Sequence, residues 1–200
     1  MQVIFIHHSC FLVEVDDLVL IFDYFGGDRV NGFHFTGKIP DYAPDTKIYM
    51  FASHKHQDHF DMDILRWSEK YTNVHYILSK DIRISPHFLQ KHGIDPGVRK
   101  KVTFVSANNH YEVDDLKIQT LLSTDAGVAF YVNVRGVSIF HAGDLNDWKM
   151  EHVGELINGK QERTLSGTRS VSLRTSRSIL RLSRWIRGWD RIRHSGLILC

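Results

Sequence analysis

The sequence predicts a mixed α/β (α+β) protein on three observations. The chain opens with three short β-type runs, strand and helix patterns alternate from Lys47 to Val105, and β-type runs return between Leu116 and His141. Two hundred residues at 42% apolar composition are ample for one domain with a substantial core and few for two.

Val3–Ile6, Phe11–Val15 and Leu18–Asp23 are rich in β-branched and aromatic residues, with His7-His8-Ser9 and Asp16-Asp17 between them. They read as a β-meander. Gly26-Gly27-Asp28 begins a long connection to Asp45, of a length that is usually functional and is expected to border a pocket. Lys47–Ala52 is the next strand. Met62–Tyr71 carries the amphipathic spacing Ile64, Leu65, Trp67, Tyr71, with Asp61 and Asp63 where a carboxylate complements the helix dipole. Val74–Leu78 reads as a strand, Pro86–His92 as a short helix and Val102–Val105 as a strand. Leu116–Leu122, Val128–Val134 and Val137–His141 complete the set, with Arg135-Gly136 as a tight hairpin turn between the last two.

The densest chemistry follows Lys47–Ala52, where His54-Lys55-His56-Gln57-Asp58-His59 gathers three imidazoles and a carboxylate. Neutral imidazole and carboxylate are ligands that zinc prefers, and a strand end holds them rigidly. Residues i and i+2 of an extended or turning segment project to one side, so His54 and His56 can converge on one ion. Asp58 and His59 lie beyond a turn and can serve a second ion. Two such ions roughly 3.5–4 Å apart generate hydroxide near neutral pH and clamp both oxygens of a hydrolysed bond. Asp144, behind Gly143 at the end of the last strand, suits a further ligand.

The two cysteines, Cys10 and the terminal Cys200, exclude a disulfide framework and fit a reducing compartment, with Cys10 as a buried thiol. No apolar run of about 18 residues spans a bilayer, and Met1–Phe5 lacks the features of a signal peptide, so the expected location is cytoplasmic with no membrane partner. Residues 1–159 hold 15 Lys and Arg against 21 Asp and Glu, whereas 160–200 hold 10 against 2. Nine arginines and no lysine occur in 161–200, interleaved with seven serines. The expected division is therefore a domain over 1–159 and an atypical Arg/Ser-rich tail over 160–200.

The HxHxDH run after a strand, followed about 85 residues later by a strand ending in Gly143-Asp144, resembles the metallo-β-lactamase-fold hydrolases. His8-Ser9-Cys10-Phe11-Leu12-Val13-Glu14 with Leu20-Ile21-Phe22-Asp23 is similar to the branch related to ascorbate-6-phosphate lactonase. The resemblance covers residues 1–159 and implies an αββα sandwich with its site on one edge. It makes His54 and His56 ligands of a first metal, Asp58 and His59 ligands of a second, and Asp144 the bridging carboxylate. It further implies a metal-bound hydroxide, available because coordination lowers the pKa of water from about 15.7 to about 7, and oriented by Asp58 as the catalytic carboxylate. The implied activity is a metal-dependent hydrolase of a small polar substrate, such as a phosphorylated lactone or ester, using one or two Zn2+ ions.

Two departures qualify that expectation. The family's histidine between the two motifs has no counterpart in Leu122-Ser123-Thr124-Asp125-Ala126-Gly127; Asp125 is either a substitute oxygen ligand, which would admit Mn2+, or an ordinary turn residue, and His110 is the nearest imidazole but is expected at the surface. The family's last histidine is absent too, because His194 lacks an apolar strand to present it. A vestigial, non-catalytic metal-binding protein is one alternative. An RNA or phosphodiester hydrolase of the same fold is another, disfavoured by the acidic body. Arg174, Arg177, Arg181, Arg184 and Arg191 allow a basic amphipathic helix in the tail, but the compositional break favours a frameshifted or truncated end. A sandwich lacking its last strand would leave a sheet edge open, favouring homo-oligomers, lower stability and weak binding of the second metal.

Overall fold

The computed structural model describes residues 1–26, 37–124 and 126–144, with the backbone of Leu197–Leu199. Strands β1 (Gln2–His7), β2 (Cys10–Val15), β3 (Leu18–Phe22), β4 (Lys47–Ala52), β5 (Val74–Ser79) and β6 (Val102–Val105) form one sheet in that order. The first three are antiparallel, and β3 to β6 run parallel. The second sheet has the order β11-β10-β9-β8-β7, from β7 (His110–Val113), β8 (Leu116–Leu122), β9 (Val128–Val134), β10 (Val137–His141) and β11 (Leu197–Leu199).

Parallel strands require cover on both faces, and β3 and β4 are apolar at almost every position for that reason. Alternation divides them. Leu18, Leu20, Phe22, Tyr49 and Phe51 pack against Val128, Phe130, Val132 and Ile139 of the second sheet. Val19, Ile21, Ile48, Met50 and Ala52 face the other way and pack under Ile64, Leu65, Leu89 and Val98 of the helical segments. Phe22 stacks on Phe51 at 4.6 Å between centroids, and Phe51 meets the edge of Phe130 at 5.2 Å. The layers are thus helix, sheet, sheet. This is the predicted sandwich as far as the described residues reach.

The amphipathic segment after the His54–His59 loop is not one helix. A 3-10 turn over Met62–Arg66 passes into α1 (Trp67–Lys70); the buried Tyr76 hydroxyl lies 2.9 Å from the carbonyl of Ile64 and 3.2 Å from that of Leu65, to which Ser68 Oγ also donates at 2.9 Å. A tertiary hydrogen bond thereby competes for carbonyls that a continuous α-helix would use. Helix α2 (Pro86–Lys91) agrees with expectation within a residue. Arg135 and Gly136 both adopt positive φ, as a two-residue hairpin requires. From that turn Arg135 pairs with Asp16, Asp17 and Asp115, tying the turns of both sheets at one end.

Two expectations are revised. His110 is exposed as predicted, but it opens a strand, β7, in a stretch with no apolar run to announce it. The edge beside β10 is not open, because Leu197–Leu199 pairs parallel to it from Ile139 to His141. The rest of the 160–200 tail lies outside the described residues. The long connection does border a cavity of about 460 Å³, through Tyr42, Asp45 and Thr46, at the starts of β3 and β4.

Candidate metal centre

Since β1 runs antiparallel to β2 and β2 to β3, the C-terminal ends of β1, β3 and β4 reach one edge, where β10 also ends. That edge receives His8, Asp23, the Ser53–His59 loop, and His141 to Asp144. It is the opposite edge from the acidic cavity lined by Glu14, Asp16 and Asp17.

Asp23 organises the buried side of this edge. It is fully buried, and its positive φ of 47° turns the chain directly after β3. Its Oδ1 accepts the Ser53 N–H at 2.7 Å, and its Oδ2 lies 2.7 Å from each of Ser53 Oγ, His59 Nδ1 and His141 Nε2. Burial works against the charge on Asp23, but the His141 and His59 imidazoles and the hydrogen bonds they donate hold its carboxyl far below the usual range.

Two groups of ligand atoms stand in front of Asp23. His54, His56 and Asp144 form one, and His8, Asp58 and His59 the other, each with its ligand atoms within 4.8 Å of one another. In the first, His54 Nε2 lies 2.9 Å from His56 Nδ1 and 3.5 Å from Asp144 Oδ2. In the second, Asp58 Oδ2 lies 3.3 Å from His8 Nε2 and 4.0 Å from His59 Nε2. Asp144 reaches both groups, since its other oxygen is 3.1 Å from His59 Nε2.

Glycines make the approach of the second sheet possible. A Cβ on Gly143, at φ +55°, would sit 2.9 Å from Ser53 Cβ and Oγ, and one on Gly127 would sit 2.0 Å from the Ser53 carbonyl oxygen. Val128 N–H donates to that carbonyl at 3.0 Å, and Thr124 Oγ1 donates to the Asp144 carbonyl at 3.1 Å. On the other flank, Asp61 accepts the Gly26 N–H at 3.0 Å and caps the 3-10 turn through Asp63 N–H.

The chemistry of these donors fits a cation. Three carboxylates, Asp23, Asp58 and Asp144, surround buried imidazoles with no Lys or Arg ion pair to them among the described residues. Nε2 of His59 is buried and, despite its 3.1 Å approach to Asp144, is too poorly aligned for a hydrogen bond. Burial opposes a charge on His59, yet Asp144 and Asp23 overcome it and carry its pKa up to about 10. The His54 and His59 imidazoles in turn hold the Asp144 carboxyl well below the carboxylate range. A site that binds a proton so firmly presents the same lone pair and charge to a metal ion.

All five residues singled out by pattern in the two motifs, His54, His56, Asp58, His59 and Asp144, are gathered at this edge. Asp125 lies outside the described residues. The grouping of the second set differs from expectation, since His8 joins Asp58 and His59. The two sequence motifs do not include His8, Asp23 or His141. Their signal in the sequence was faint: a polar residue directly after, or closing, an apolar strand.

The chain matches the model of the beta-lactamase superfamily domain over residues 2–158, a span that contains every residue of this centre. It belongs to that superfamily. Among solved structures, a Veillonella parvula protein described as a possible metal-dependent hydrolase is similar at 12% identity, with a TM-score of 0.51 over 83% of this chain and 67% of that one. A Parabacteroides distasonis protein provisionally assigned as a metal-dependent hydrolase is similar at 15% identity and a TM-score of 0.45, over 73% of this chain and 62% of its own. The diiron β-hydroxylase CmlA of Streptomyces venezuelae is similar at 13% identity and a TM-score of 0.49, over 75% of this chain and 30% of its own. The chain thus spans less than two thirds of the Parabacteroides protein and under a third of CmlA. No curated protein sequence matches it.

Proposed function

We propose that this chain is a metal-dependent hydrolase of a small polar substrate, within the ascorbate-6-phosphate-lactonase-like branch, with a phosphorylated lactone or ester as the substrate class. The observation that carries the reading is the pair of ligand groups with the Asp144 carboxylate facing both. His54, His56 and Asp144 would hold one Zn2+ and His8, Asp58 and His59 the other, with Mn2+ favoured if Asp125 adds an oxygen. Bound divalent ions supply Lewis-acid polarisation of the scissile group and make water acidic enough to ionise near neutral pH.

The protein's own part is orientation and proton handling. Asp58, 30% exposed on its side chain, faces the open side of the edge, where it can accept the proton of an attacking water. Asp23 stays behind the imidazoles and sets their direction. The support for the branch is the opening motif around His8 and Asp23, both of which stand at this edge.

The test is turnover by the zinc- or manganese-loaded chain on a panel of lactones, phosphate esters and a generic phosphodiester. Asp58→Asn should lower kcat by about 10²–10⁴ and weaken the ion held with His8 and His59, while leaving the ion at His54, His56 and Asp144 in place. A second reading, a non-catalytic metal-binding protein, is favoured by one feature: the stretch after β8 contributes no imidazole, and Ser123 Oγ there is buried without a hydrogen bond among the described residues. Metal binding without turnover on any member of the panel would select it.

A further inference from the structure

We propose that Ser53 is a positioning residue whose hydroxyl relays the charge of Asp23 to His54 and fixes that imidazole in the tautomer with Nδ1 protonated and the Nε2 lone pair turned toward His56 and Asp144. For a neutral His54 ring the geometry leaves one arrangement of protons. Ser53 Oγ lies 2.7 Å from Asp23 Oδ2 and 2.9 Å from His54 Nδ1, and all three side chains are fully buried. A carboxylate only accepts, so the hydroxyl proton must point at Asp23; pointing it at His54 would set two oxygen lone pairs against each other at 2.7 Å. The hydroxyl oxygen then offers its own lone pair to His54, whose Nδ1 must carry the proton. Nε2 is left bare on the side where His56 Nδ1 stands 2.9 Å away and Asp144 Oδ2 3.5 Å away.

His59 reaches the same carboxylate oxygen without an intermediary, Nδ1 to Oδ2 at 2.7 Å. One buried anion therefore sets both ligand groups, directly for His59 and through a serine for His54. The asymmetry is what makes Ser53 testable: removing its hydroxyl cuts the line to His54 and leaves that to His59 intact. The consequence for metal rests on reading His54 as a ligand, whereas the tautomer itself does not.

The experiment is 15N NMR of the imidazoles in the metal-free full chain at mildly alkaline pH, for wild type and Ser53→Ala, with zinc affinity measured in parallel. The wild type should show His54 protonated at Nδ1 and bare at Nε2. Ser53→Ala should mix the His54 tautomers, leave His59 Nδ1 protonated, and weaken zinc binding by about tenfold or more at the group containing His54 and His56. Ser53→Cys, with a weak donor in place of the hydroxyl, should fall between. A wild-type His54 protonated at Nε2 overturns the proposal, and that spectrum needs no variant to fold. An unchanged His54 tautomer in Ser53→Ala, or equal loss of zinc at both groups, overturns it as well. Absence of zinc binding to the wild type would count against the metal reading, and the tautomer would still decide the relay.

Discussion

Asp23 is where the chemistry of this edge concentrates, because three side-chain donors and one backbone N–H converge on one buried carboxylate. Removing it strands those donors in a dry environment. Asp23→Ala should cost about 3–5 kcal/mol in the metal-free chain, read as a fall in denaturant midpoint at unchanged m-value. Gly143 belongs to the same scale. Its φ of +55° and the 2.9 Å approach to Ser53 leave no room for a methyl group, so Gly143→Ala should cost about 1–3 kcal/mol and displace Asp144 from the His54 group. The measurement is stability together with bound zinc; a variant of wild-type stability and zinc content would contradict the close approach. His54 to His59 were legible in the sequence because the donors are contiguous and follow an apolar strand. Asp23 and His141 were not, since 118 residues separate them and only the meeting of two sheets joins them.

Elements were readable where one face alone decides. β3, apolar throughout, and β4, apolar after Lys47, announce strands covered on both faces, and the pattern around Arg135-Gly136 announces a hairpin. The break inside Met62–Tyr71 was hidden, because beside the local Ser68 bond to the Leu65 carbonyl it has a tertiary cause, a hydroxyl on β5. Tyr76→Phe removes that cause. It should cost about 1 kcal/mol and shift the segment toward a continuous helix, seen as raised helical content and amide protection at Leu65 to Ser68. Unaltered protection there would mean that the 3-10 geometry has another origin. The short β7, with alternating exposure at His110, Tyr111 and Glu112, carried too few apolar residues to stand out.

At the scale of the whole molecule, the sandwich is one core between sheets and a second under the helices, with the candidate centre at one edge and the Arg135 ion pairs at the other. Stability should depend on acid through His75, far from the centre. Burial lowers its pKa below 6.5, with Asp114 pulling weakly the other way, so the folded state favours neutral imidazole. Unfolded chains bind more protons below that value, and the stability tied to His75 is lost as pH falls from 6.5 through its folded pKa. His75→Gln should therefore narrow the difference in stability between pH 7 and acid relative to wild type; an unchanged pH slope would contradict this. The compositional break near Lys160 and the end of the family match at residue 158 fall together, and we propose a division there, with Leu197–Leu199 of the second part returning as β11 to the sheet of the first.

The central claim is that two ligand groups at this edge each hold a divalent ion, and zinc titration of the full chain with direct metal analysis tests it most directly. The account predicts two sites, one lost in His56→Ala and the other lost in His8→Ala. A single class that survives both substitutions, or no bound zinc at all, would contradict it.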